Sequence, residues 1–294
     1  MLDQAHLEAI AAVIRTGSFE RAAQHLHVTP SAISQRIKAL EERLGTLLIV
    51  RGQPATPTVA GARLFRHAEE VGLLEQALRA DLALPSEEGA MPTIRLAVNA
   101  DSLATWFVAA MAAAPDTLFD LVLDDQDHSM EWLRRGEVRA SVSGFAGSVQ
   151  GCDRRALGSL RYIATASPAF VARWCPDGVD ADALAAAPCI TFNAKDSLQA
   201  AWARQEFGRD IYPPTHWLPS SQAFVDAALA GLGWGMNPEI LAADAIAEGR
   251  LAPLGVPFDV PLYWHWSRAV APALRTVTDA VLRAAADHLR PAAG

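Results

Sequence analysis

Two short stretches of this 294-residue chain combine residue types that can recognise charge on a small molecule. Asn99-Ala100-Asp101-Ser102 follows an apolar run and opens a helix, so its backbone N–H groups and the Ser102 hydroxyl can receive an anion such as an α-carboxylate. The same residues can equally be an ordinary cap through Asp101 or Ser102. Asp124-Asp125-Gln126-Asp127-His128-Ser129 stands where a second strand ends. A partly desolvated carboxylate at Asp124 or Asp125 selects a cation, whereas Asp127 at a helix start complements the helix dipole. A third stretch carries different chemistry. Between Pro30 and Leu44, Ser31, Ser34, Gln35 and Lys38 share a helical face with no apolar residue, and Ile33, Ile37, Leu40 and Leu44 share another. Short hydroxyls, an amide and a cation suit a helix that enters a DNA major groove, bonds base edges and touches phosphate. A solvated face is the plainer alternative, and such faces usually carry more Glu and Lys.

These residues need elements to hold them. Leu7, Ile10, Ala11 and Ile14 recur at three and four residues and predict a helix over Leu2 to Arg15, stopped by Thr16-Gly17. Ser18 caps a short helix from Phe19 to Leu26, and Thr29-Pro30 starts the third with a capping hydroxyl and a proline at the first helical position. Leu47 to Val50 reads as a strand, Arg51-Gly52-Gln53-Pro54 as a turn, and Thr58 as a helix start. Strand and turn make a wing, with Arg51 near the DNA backbone.

Val59 to Leu84 predicts one long helix in which Leu64, Val71 and Leu78 repeat every seven residues, with Ala68, Leu74 and Leu82 filling the stripe. Pairing with a second copy buries such a stripe; packing on the chain's own C-terminal half is the alternative. Pro85 to Gly89 is a breaker-rich linker. From Thr93 short apolar runs alternate with helices: Ile94 to Val98, Leu118 to Leu123, Ala140 to Ser143, Tyr162 to Thr165, Cys189 to Phe192 and Leu262 to Trp266. That order predicts an α/β fold with a largely parallel sheet, whose ligands bind beyond the carboxyl ends of the strands.

Composition narrows the class. The chain is 51% apolar and 20% charged, as in ordinary folded proteins, and its length calls for two or three domains. No run reaches the roughly 18 to 20 apolar residues of a membrane span, and Met1 to Glu8 lacks the features of a signal peptide, so a cytoplasmic protein without membrane contact is expected. Residues 1–66 hold eight basic against five acidic side chains, net +3, while the rest carries −11 of the total −8. A basic head on an acidic body places attraction for phosphate at one end. Cys152, Cys175 and Cys189 have no metal-ligand spacing and read as reduced, buried side chains. There is no GxSxG elbow, HExxH or GxxxxGK[ST], and Gly231-Leu232-Gly233-Trp234-Gly235 lacks the spacing of a dinucleotide loop and reads as a tight strand entry. No catalytic residue, metal or cofactor is expected. The eight tryptophans read as core and interface anchors.

The run SFERAAQHLHVTPSAISQRIKALEERLG, followed by LLIVR and TVAG, resembles the signature of LysR-type transcriptional regulators. NADSLATW, LRRGEV, SSQAFV and LYWH resemble the ArgP/LysG branch, and the likeness covers essentially the whole chain. Pro54 and Pro57 stand where the family commonly has an arginine and a leucine. The resemblance implies an α/β protein with an N-terminal winged helix-turn-helix (1–58), a dimerisation helix and hinge (59–91) and a two-lobed periplasmic-binding-protein-like effector domain (92–294). The lobes would be 92–162 plus 266–294, and 163–265. DNA contact would fall to Thr29, Ser31, Ser34, Gln35, Lys38 and Arg51. In the effector domain, Asp101 and Ser102 would hold an amino acid's backbone groups and Asp124 or Asp125 its cationic side chain, with Asn99 also binding the effector and Ser143, Asn193 and Ser221 facing the same cleft. The expected partners are an operator duplex, a basic amino acid (lysine, arginine or histidine), further copies in a homodimer or homotetramer, and RNA polymerase. Other readings are a regulator of another small-molecule pathway, a ligand-independent DNA-binding protein, and a solute-binding protein, which the DNA head argues against.

Overall fold

The computed structural model describes residues 3–84, 91–124 and 129–291, with the side chains of Asp124 and Ser129 outside that description. The linker Pro85 to Gly89 and the loop residues Asp125, Gln126, Asp127 and His128 lie outside the described residues. The chain forms two compact units, Met1–Pro92 and Thr93–Gly294.

In the first unit, α1 (Gln4–Thr16), α2 (Phe19–His25) and α3 (Pro30–Leu44) enclose one core, followed by the short strands β1 (Ile49–Val50) and β2 (Thr56–Pro57) and the long helix α4 (Val59–Asp81). Hydroxyls and a carboxylate set the helix starts. Asp3 accepts from the Ala5 N–H, Ser18 from Arg21, Thr29 from Ala32 and Thr58 from Gly61. Each satisfies an N–H that the first helical turn leaves unpaired, worth about 1 kcal/mol. Ile10, Val13, Ala22, Ala23, Ile33, Ile37, Leu40 and Leu48 are buried together. Leu44 was expected on that face but is 45% exposed, because it is the last helical residue before Gly45 turns the chain left-handed. The strand expected over Leu47 to Val50 shortens to two residues: Leu47 is exposed, and its carbonyl accepts from the Thr58 hydroxyl instead of a ladder partner. Along α4, Leu74, Leu78 and Leu82 stand exposed.

The second unit contains β3 (Thr93–Asn99), β4 (Leu118–Asp124), β5 (Ala140–Ser143), β6 (Cys152–Ala166), β7 (Cys189–Thr191), β8 (Thr215–Trp217), β9 (Gly235–Pro238), β10 (Ala252–Pro253) and β11 (Phe258–Ser267). One sheet runs β10-β6-β11-β5-β3-β4, with β9 also on β6. The largely parallel sheet expected from the strand-helix alternation is not what forms. Only β3 pairs in parallel, with β4 and β5, while β6 and β11 run antiparallel to every neighbour they have. The reason lies in strand length. β6 and β11 span 15 and 10 residues, against the four-residue core read for Tyr162 to Thr165, and such long strands run out along the sheet and return. A separate parallel pair, β7 and β8, meets β9 through a bridge from Cys189 to Trp234.

Trp106, Trp202, Trp234 and Trp264 are fully buried, as core anchors, and three of them donate their indole N–H: to Val256, Leu184 and Thr278. The glycine run does enter a strand tightly. A side chain at Gly233 would lie 2.9 Å from the Pro188 carbonyl oxygen, so only glycine lets β9 approach β7.

Gly61 is a sharper case. A Cβ there would stand 1.9 Å from the Leu48 carbonyl oxygen, so α4 rests directly on the wing's backbone. Gly61→Ala should destabilise the head by about 1–3 kcal/mol, seen as an earlier thermal transition and weakened duplex binding by the full chain.

Candidate functional site

On α3 the two predicted faces separate. Ile33, Ile37 and Leu40 are buried, while Ser31, Gln35 and Lys38 are exposed and Ser34 is half-buried. Thr29 caps the helix, and its hydroxyl lies 3.0 Å from that of Ser31. Arg51 is exposed at the end of β1, its guanidinium 5.0 Å from the Phe19 ring centroid, a cation-π contact that holds it at the start of the wing. Lys38 also meets Glu42 one turn on, at 3.6 Å between exposed side chains, a pair too hydrated to fix it. A rigid helix thus presents short hydroxyls and an amide, with cations beside them.

The second unit holds a cavity of about 180 Å³. A single water needs roughly 10–15 Å³ on this measure, so the space suits a small molecule. Its walls come from the end of β3 and the helix it enters (Asn99, Asp101), the segment after β7 (Asn193, Lys195, Asp196, Gln199), and the start of the helix Ser221–Leu229 (Ser221, Phe224). Of the residues expected here, Asn99, Asp101, Asn193 and Ser221 line the cavity together.

The others are placed differently. Ser102 is fully buried outside the lining, its hydroxyl without a partner among the described residues, and its N–H bonds to the Asn99 carboxamide at 2.9 Å. The cap is therefore Asn99, not Asp101 or Ser102, and it frees the Asp101 carboxylate to point elsewhere. Ser143 is buried at the end of β5, accepting from the Phe145 N–H. Asp124 ends β4 in register with Asn99, which puts its backbone beside the same strand end; Asp125 lies outside the described residues.

Asp101 governs the electrostatics. Its carboxylate accepts a hydrogen bond from the Tyr162 hydroxyl at 2.6 Å. The residue keeps some solvent access through the cavity mouth, but the carboxylate is ringed by protein atoms, and this burial raises its pKa. The hydroxyls of Ser221 and Tyr162 oppose the rise and Asp196 adds to it. Ser221 lies close enough to favour the charge without meeting hydrogen-bond geometry. Among the described residues no cation pairs with Asp101. Asp196 differs, because its two carboxylate oxygens take the Phe192 and Leu198 N–H groups at 3.0 and 2.9 Å.

Tyr162, Lys195, Asp196 and Gln199 were not anticipated as site residues. Lys195 and Asp196 had a readable signal, since Asn193-Ala194-Lys195-Asp196-Ser197 follows a strand and opens a helix just as Asn99 to Ser102 does. Tyr162 had none, because it reads as an ordinary strand residue. The cysteines offer no reactive thiol: burial pushes all three up, Cys189 to about 12.

The raised Asp101 pKa fixes the sign of one effect. An acid whose folded pKa exceeds its unfolded one contributes most below the unfolded value, and stability falls as pH rises through the folded value. Asp101→Asn should therefore raise the thermal stability of the ligand-free protein at neutral pH, with the gain shrinking as pH falls through the raised folded value to the usual aspartate range and levelling off below it; denaturation across pH 3–8 checks this.

Comparison with known proteins matches residues 4–62 to the bacterial regulatory helix-turn-helix protein model of the lysR family and residues 87–286 to the LysR substrate binding domain. The chain is 44% identical over 289 residues to the HTH-type transcriptional regulator LysG of Mycobacterium tuberculosis, covering 98% of this chain and 95% of that one. It is 43% identical to the HTH-type transcriptional regulator ArgP of Pseudomonas aeruginosa, covering 98% of both. The crystal structure of ArgP from Mycobacterium tuberculosis superposes with a TM-score of 0.80 over 99% of this chain and all of that one, at 43% identity. Full-length LysG from Corynebacterium glutamicum with bound effector Arg gives 0.68 over 99% and 100%, at 35% identity. The two-part match and the near-complete overlap with these regulators place the chain in the LysR family of bacterial transcriptional regulators.

Proposed function

We propose that this regulator is a cytoplasmic protein that binds an operator duplex and answers to a basic amino acid, lysine, arginine or histidine, in controlling amino acid export or metabolism. The observation that carries the effector reading is one cavity lined both by Asp101, which lacks a cation among the described residues, and by Lys195. One site with both signs of charge suits a zwitterion: Asp101 takes the α-ammonium, Lys195 and Asn193 favour the α-carboxylate, and Asp124, the last residue of β4, or Asp125 takes the side-chain cation. The arginine held by the Corynebacterium relative supports this choice.

The exposed stripe of Leu74, Leu78 and Leu82 supports pairing of α4 with a second copy, in a homodimer or homotetramer that sets two heads on two half-sites and works with RNA polymerase. The signal passes by closure of lobes 92–162 plus 266–294 and 163–265, with crossovers near Thr165 and His265; the effector shifts that balance through its different affinity for the two shapes. The protein performs no chemistry on its ligand. Among the described residues no helix is long and apolar enough to cross a membrane and no cluster could hold a metal.

Thermal unfolding with each common amino acid tests the effector. An amino acid present at about a hundred times its Kd should stabilise the protein by about 2.7 kcal/mol, the shift should come from lysine, arginine or histidine, and Asp125→Asn should abolish it. A shift from another metabolite alone would point to a regulator of another pathway, and no shift from any metabolite to a ligand-independent DNA-binding protein. For the reading head, Gln35→Ala should lower the preference for operator over random duplex by about 1–3 kcal/mol, and Arg51→Ala should weaken both equally and reduce the slope of log K against log salt by about 1. Equal loss on both duplexes in the Gln35 variant would remove that residue from base reading.

A further inference from the structure

Tyr162 is 2% exposed, yet its hydroxyl bonds the Asp101 carboxylate, which has no cation among the described residues. Its backbone place is distinctive. Along β6 the residues up to Tyr162 pair with β11 on one edge, where Thr165 and Ala166 then take β10, while β9 lies along the other edge from Tyr162 to Thr165; Tyr162 thus pairs with two strands at once, opposite Phe258 and Pro238. Pro238 lines the cavity. One residue thus joins the cavity wall, the strand that changes partners, and the Asp101 carboxylate on the helix after β3.

We infer that Tyr162 is a positioning residue that keeps the Asp101 carboxylate ionised and aimed at the effector's ammonium group, tying effector contact to the strand at which β6 changes partners. The inference rests on the amino-acid reading above for its ligand and on the geometry for the rest. A phenol held at 2.6 Å donates to the charged carboxylate and stabilises it against burial. The other groups facing Asp101 are few. Ser221, at the start of its helix, also favours the charge; Asp196, from the segment after β7, opposes it; and Lys195, on that same segment, lines the cavity. Removing the phenol O–H leaves burial and Asp196 less opposed, so Asp101 takes up its proton at higher pH. An effector ammonium then meets a protonated, neutral acid up to a higher pH than in the wild type.

Tyr162→Phe keeps the ring and deletes only the hydroxyl. In the full-length protein two readouts follow. The first needs no ligand: relative to wild type, the variant's thermal stability should show a deficit that grows between acidic and neutral pH, and the same substitution in an Asp101→Asn background should give a change independent of pH. The second is calorimetric titration with L-arginine and L-lysine between pH 6 and 8.5. Affinity should fall about tenfold or more near neutrality, and its dependence on pH should move to higher pH. Retained binding to a random duplex shows that the variant is folded. Superimposable stability profiles overturn the inference whether or not an amino acid binds. A displaced stability profile in a protein whose wild type binds neither amino acid upholds the coupling to Asp101 and overturns the effector reading alone.

Discussion

A carboxylate taken out of water without a cation is costly, and natural folds rarely keep one unless something else supplies the charge. Asp101 is such a group. The chain makes specific provision for it: Asn99 takes over the cap, so Asp101 is not spent on the helix start, and Tyr162 and Ser221 bring hydroxyls to the cavity side. Hydroxyls soften burial without cancelling charge. What remains is a site whose ligand-free state is strained electrostatically, so a cationic ligand gains there and a neutral or anionic one does not.

The sheet explains why that charge can be felt elsewhere. β3 and β4 end side by side at Asn99 and Asp124, and β6, whose Tyr162 bonds Asp101 and pairs with both β11 and β9, connects this end to β9. A ligand that touches Asp101 and Lys195 touches the segments that follow β3 and β7. In the reading head, by contrast, little needs to move. Caps at Ser18, Thr29 and Thr58 and the close seating of Gly61 on Leu48 make a rigid unit that carries a hydroxyl- and amide-bearing face.

Much of this was legible in the sequence. The third helix was readable to the residue, Pro30–Leu44, because a capping threonine, a proline at the first turn and Gly45 after the last mark its ends with local chemistry. Strand order was not, since parallel and antiparallel pairing depend on where long strands travel, and Tyr162 to Thr165 are only the C-terminal end of the 15-residue β6. Within the cavity, Asp101, Asn99, Asn193 and Ser221 were readable because each sits at a strand end or helix start. Ser102 was misjudged: the cap fell to Asn99, three residues earlier, and the serine is buried. Tyr162 was invisible because its role comes from a contact 61 residues away along the chain.

The central claim is that Asp101 receives the α-ammonium of a basic amino acid. Calorimetric titration of the full-length protein with L-arginine and with its analogue lacking the α-amino group tests it most directly. The account predicts that the analogue, which leaves the buried carboxylate unpaired, binds about thirtyfold or more weakly. Equal affinity for the two would show that Asp101 does not hold the ammonium group, and would contradict it.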